Sequence, residues 1–180
     1  MSDYHDLIYT DEWRAWVDPN VPEYFNPTAV ILDKHLGTDK ASKTALIVDE
    51  ERYSYQEFLA HICRTANGLR TLNIPVGSRL LLFGTDSLEY LAIWLGSIRA
   101  GIVPVVISDA YKATNLQYFL EDTAAQTLFI DVEQTEKLSE ITAEIPWTLH
   151  NVIVRGSDCG LTPEVGERER SITSSANSGI

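Results

Sequence analysis

The chain has 180 residues, 44% of them hydrophobic, enough for one domain with a buried core and too short to expect two. Asp plus Glu number 26 against 14 Lys plus Arg, a net charge of −12, which repels phosphate backbones and argues against nucleic acid as a partner. The two cysteines, Cys63 and Cys159, form no paired motif, no run reaches the ~20 apolar residues of a membrane span, and the acidic start MSDYHDLIYTDEW is unlike a secretory signal. The expectation is a reduced, cytoplasmic chain.

Residues 1–25 carry Tyr4, Tyr9, Trp13, Trp16, Tyr24 and Phe25, too many aromatics for a disordered leader. A short helix is expected near Asp11–Val17, with the leader lying along the domain surface. Asn26-Pro27 then supplies a cap and a first-turn proline, and Gly37 a stop; this helix is expected to bury Val30, Ile31 and Leu36. Ala45–Val48 and Arg52–Ser54 read as strands around the acidic turn Asp49-Glu50-Glu51. Ser54-Tyr55-Gln56-Glu57 is a capping box, and Phe58, Ile62, Ala66, Leu69 and Leu72 follow at helical spacing.

Leu80–Phe83 and Ile102–Ile107 are short apolar runs without alternation, the pattern of central parallel strands buried on both faces. Between them lies a helix that is apolar on nearly all sides, opened by Asp86 with Glu89 three residues on and stopped at Gly101. Its Ile93-Trp94-Leu95 face is expected to be covered. A second capping box, Thr114-Asn115-Leu116-Gln117, leads the helix carrying Tyr118, Phe119 and Leu120. Leu128–Ile130 is a strand, Glu133–Ala143 a polar-faced helix and Asn151–Val154 the last strand. From Gly156 the sequence is rich in Gly, Ser, Thr and charge without apolar periodicity, so residues 157–180 read as an irregular tail that adds little stability. The fold class expected is α/β: a doubly wound, mainly parallel sheet with helices on both faces and a short antiparallel hairpin near the start.

Candidate chemistry is sparse. Gly84-Thr85-Asp86-Ser87 joins a strand to a helix, where open α/β sheets often bind anions. It has neither G-x-G-x-x-G nor G-x-x-x-x-G-K spacing, and Asp86 opposes a phosphate, so capping is the simpler role. His61 and Cys63 lie two apart on a helix and do not share a face. His5, His35 and His150 have no partners at metal spacing, and Asp49-Glu50-Glu51 is a solvated turn. No catalytic, cofactor-binding or metal-binding residue is assigned.

The wording of Arg52-Tyr53-Ser54-Tyr55-Gln56-Glu57, Ala66-Asn67-Gly68-Leu69, Leu95-Gly96-Ser97-Ile98-Arg99-Ala100-Gly101 with Val103-Pro104-Val105, and Leu120-Glu121-Asp122-Thr123 resembles the N-terminal subdomain of the AMP-forming adenylate ligases. That superfamily contains acyl- and aryl-CoA synthetases, luciferases and peptide-synthetase adenylation domains, and the benzoate-CoA ligase type is the nearest in wording. The resemblance runs from about Asn26 to Val154, which makes residues 26–156 the subdomain between the leader 1–25 and the tail 157–180. It implies activation of a carboxylic acid with ATP and Mg²⁺ to an acyl-adenylate, then transfer to CoA. It also implies a phosphate loop of Ser, Thr and Gly ending in Lys-Gly. Ser174-Ser175-Ala176-Asn177-Ser178-Gly179 stands near that place, either as the start of such a loop with Ala176 where a glycine belongs or as a Ser-rich tail. Some CoA ligases place a cation in the loop after the Val-Pro strand; here Ala110 takes that position, with Lys112 nearby. The resemblance therefore implies an N-terminal fragment, inactive by itself and binding none of these cofactors tightly. Its expected partners are the remainder of the ligase and other copies of itself. The rival reading is a non-catalytic interaction module that keeps the fold without the site.

Overall fold

The computed structural model describes residues 25–156 and 172–174. The expected Asp11–Val17 helix, the rest of the leader and all of the tail except 172–174 lie outside these residues.

Helix α1 (Pro27–Ile31) begins at Asn26, whose side chain accepts from the Thr28 N–H. It ends at Ile31 and passes into a 3-10 turn, Asp33–His35, before Gly37. Thr28 and Leu32 face inward, while Val30, Ile31 and Leu36 are 46%, 50% and 42% exposed. The expected burial of those three is thus reversed.

Strands β1 (Thr44–Val48) and β2 (Glu51–Ser54) form a separate two-stranded antiparallel sheet. Helix α2 (Tyr55–Thr71) follows directly, and its capping box is formed: the Glu57 N–H donates to Ser54 Oγ, and the Ser54 N–H donates to Glu57 Oε2 at 2.9 Å. The main sheet then takes β3 (Arg79–Phe83), α3 (Leu88–Ala100), β4 (Val103–Ile107), α4 (Ala113–Thr123), β5 (Thr127–Asp131), α5 (Thr135–Glu140), β6 (Asn151–Arg155) and β7 (Ile172–Ser174). Its order is β4-β3-β5-β6-β7, every neighbouring pair parallel. The expected Glu133–Ala143 helix is one six-residue α segment between 3-10 turns. Three residues of the expected irregular tail, Ile172–Ser174, pair with Val152–Val154.

Alternation along the strands divides the core in two. Leu80 and Leu82 of β3, with Phe129 and Ile153, meet α2 and α3 on one face. Leu81 and Phe83, with Leu128, Ile130 and Val154, meet α4 and α5 on the other. The chain steps from β3 to β4 in one direction and from β4 to β5 in the other. Crossovers of one hand then put α3 and α4 on opposite faces, as a doubly wound sheet requires. A third cluster, including Leu32, Phe58, Ile62, Leu88 and Leu95, joins α1, α2, α3 and the hairpin.

Two expectations about burial change. Strand β3 is buried from Leu80 to Phe83, but β4 is the edge strand, with Val103 49% and Val106 53% exposed. Its apolar run reflects one covered face and an edge, not a central position. On α3, Ile93 and Leu95 are buried, whereas Trp94 is 38% exposed. Pro104 suits the edge: the Val103 N–H donates inward to Ser78, so residue 104 presents its backbone outward, where a proline offers no donor.

Candidate functional site

The direction of the sheet reverses between β3 and β5, and ligands of open α/β proteins bind in the crevice outside the carboxyl ends of the strands at such a point. Here that place holds a polar cluster built from three strand ends. The Thr85 N–H, just beyond β3, donates to Asp131 Oδ2 at 2.8 Å, and the Thr85 hydroxyl donates to the same oxygen at 2.9 Å. Arg155, beside Asp131 in the β5–β6 register, donates from Nη2 to Asp131 Oδ2 at 2.6 Å. The same nitrogen reaches the Thr85 hydroxyl, and Nη1 reaches Ser87 Oγ. Asp131 is 2% exposed, so its charge depends on these donors.

Gly84 makes room for the carboxylate. A Cβ at that position would lie 2.7 Å from Asp131 Oδ1, so any side chain there displaces the acid. Oδ1 itself is buried and has no hydrogen-bond partner. The donors that an external anion would need at the switch point, a backbone N–H, a hydroxyl and a guanidinium, are therefore engaged by the chain's own carboxylate. With Asp86 and Asp131 both acidic, these residues do not fit the triphosphate of ATP. Among the described residues no three His, Cys, Asp or Glu side chains gather to hold a metal ion.

The other sequence candidates are dispersed. Ser87, not Asp86, caps α3, accepting from the Tyr90 N–H at 3.0 Å. Lys112, not Thr114, stands at the cap of α4, and Asn115 Oδ1 accepts from its N–H at 3.3 Å. Ala110 and Lys112 are exposed. His61 lies edge-on to Tyr53, and His35 to Tyr55. Burial and the neighbouring Arg64 hold the His61 imidazole below its ordinary pKa of 6.5. The Asp49-Glu50-Glu51 turn is exposed, and its Glu51 accepts from the Tyr53 hydroxyl, which with burial pushes that phenol up to about 12. His5 and Ser175–Gly179 lie outside the described residues.

Asp131 and Arg155 each lie one residue beyond the apolar run that marks their strand, so the sequence pattern alone does not include them. The available signal was an acid and a base, each directly after an apolar strand.

A parallel sheet wound in both directions from a switch point, with helices on both faces, defines a doubly wound α/β domain. The family model for AMP-binding enzymes matches residues 33–176, and the chain belongs to that family. It is 27% identical over 137 residues to a benzoate–CoA ligase of Thauera aromatica, covering 76% of this chain and 26% of that protein. The solved anthranilate CoA ligase AuaEII, in complex with anthranoyl-AMP, superposes with a TM-score of 0.69 at 26% identity, over 76% of this chain and 26% of that one. A benzoate CoA ligase from Burkholderia xenovorans LB400 gives 0.66 at 26% identity, over 74% and 26%. The chain thus spans about a quarter of the length of the relatives it matches. No described helix is long and apolar enough to cross a membrane.

Proposed function

We propose that this chain is the N-terminal part of an AMP-forming acyl- or aryl-CoA ligase, which activates a carboxylic acid with ATP and passes the acyl group to CoA. The observation that carries this reading is the family match over residues 33–176, with aromatic-acid CoA ligases among the relatives. On this reading residues 26–156 are scaffold. They supply sheet and helices and assign no catalytic or cofactor-binding group, because the polar groups at the switch point are spent on Asp131. Phosphate, acid and CoA recognition then fall to the rest of the ligase, its expected partner, in a cytoplasmic enzyme.

Two measurements test it. Acid-dependent exchange of pyrophosphate into ATP, assayed on this chain with benzoate, is expected to stay at background. Exchange that disappears on removal of Ser174–Gly179 overturns the scaffold reading. The coding sequence after the Ile180 codon is expected to continue into a Gly- and hydroxyl-rich loop ending in Lys-Gly. A native protein of this size with no such continuation overturns the ligase assignment in favour of a non-catalytic interaction module.

A further inference from the structure

The second polar contact at the carboxyl edge of the sheet involves Lys137 of α5. Its ammonium donates to two backbone carbonyls of the loop after β4, that of Asp109 at 2.8 Å and that of Tyr111 at 2.7 Å. It also lies 5.1 Å from the centroid of the Phe83 ring, at the end of β3. These partners are carbonyl dipoles and an aromatic face, so one cation gathers the ends of two strands and the start of a helix.

The far end of the loop is tied to α4, where the Lys112 carbonyl accepts from the Asn115 and Leu116 N–H groups at 3.0 and 3.1 Å, but its middle has little else to fix it. Within Ser108–Lys112 the Tyr111 N–H donates to the Ser108 carbonyl at 3.2 Å and the Ala110 N–H to Ser108 Oγ at 3.3 Å, at and just beyond the long end of the usual range. Ser108, Ala110, Tyr111 and Lys112 are exposed. Tyr111 packs at a tilt against Phe119 of α4, with ring centroids 5.5 Å apart and planes 36° apart. The two charge-assisted bonds from Lys137 are the short ones in this set, and such bonds are roughly twice as strong as neutral ones.

We infer that Lys137 is a positioning residue that clamps the 108–112 loop onto the carboxyl edge of the sheet, and that neutralising this one ammonium releases the loop while the sheet stays folded. The edge in question is where open α/β sheets receive ligands, so the clamp sets the shape of a rim of that face. The inference concerns how the scaffold of the proposed function is shaped at that edge, and its test reads loop order and not ligase activity.

The test compares the wild-type chain with Lys137→Met, which keeps length and packing, and Lys137→Arg, which restores a cation able to donate to both carbonyls. Amide hydrogen exchange at Ala110 and Tyr111 is expected to quicken about tenfold or more in the Met variant, with β3 and β5 amides unchanged. Trypsin cleavage after the exposed Lys112 is expected to rise in parallel, and Lys137→Arg is expected to return both readouts close to wild type. Unchanged loop exchange and cleavage in Lys137→Met overturns the inference. So does acceleration spread equally over loop and sheet, which marks a general loss of stability. If Lys137→Met does not fold, Lys137→Arg with the cleavage profile of the wild type, beside Lys137→Gln with rapid cleavage at Lys112, decides in favour of the clamp. Equal cleavage in these two variants decides against it.

Discussion

Single side chains at the ends of strands do most to hold the switch point together. Removing the guanidinium with Arg155→Met leaves the Asp131 carboxyl at 2% exposure without its cation, and breaking a buried pair from one side costs about 3 kcal/mol. Urea unfolding is expected to show that loss, and the double variant Asp131→Leu with Arg155→Met to recover much of it, since no charge is then stranded. A single variant within about 0.5 kcal/mol of wild type refutes the importance of the pair. His61 makes a pH prediction. Its folded pKa is depressed below 6.5 by burial and Arg64, so the unfolded chain takes up a proton first as pH falls. The corresponding stability is present above 6.5 and is lost as pH drops through the folded value. His61→Gln is expected to flatten the decline in melting temperature between neutral and mildly acidic pH. An unaltered slope removes His61 from the acid response.

Elements were legible in the sequence where the signal is local. The Ser54–Glu57 box lies within four residues, and the apolar run of β3 states its own burial. What depends on neighbours was not legible. Nothing within Ile102–Ile107 says that β4 ends the sheet, because strand order is a property of the whole topology. Asp131 and Arg155 are brought side by side by parallel register, and α1 is too short for a period to show which residues face inward. In α3 two cap residue types stand together, and the start of the helix at Leu88 selects Ser87 over Asp86. Helix contact also explains part of the family-like wording. A Cβ on Gly96 would approach the Ala66 nitrogen and the Ile62 carbonyl of α2 at 3.2 Å, so this glycine lets α2 and α3 approach backbone to backbone. Gly96→Val is expected to wedge the pair apart at a cost of about 1–3 kcal/mol, the usual range for overpacking. Thermal unfolding checks it: a melting temperature equal to wild type means that the helices separate freely there.

The whole molecule sets an acidic charge against exposed apolar groups. A net charge of −12 keeps copies apart through a field that salt shortens, from a Debye length of about 10 Å at 0.1 M to about 3 Å at 1 M. Against it stand Val76 at 82%, Trp147 at 76%, Tyr118 at 58%, and Ile47 and Val106 at 53% exposure. On the proposed reading these lie on a scaffold that has most of a ligase to meet, so copies of the chain offer one another a substitute contact. Pro104 argues that this contact is not strand addition at β4, since the outward donor at that position is missing. Sedimentation velocity over about a hundredfold range of concentration is therefore expected to show reversible association that strengthens with salt. Pro104→Val, which restores an edge donor, is expected to add a further, tighter association at low salt. A strictly monomeric wild type in both low and high salt sinks the first expectation and moves weight to a self-sufficient module. A Pro104→Val variant that associates no more than wild type shows that the β4 edge is protected by its surroundings and not by its proline.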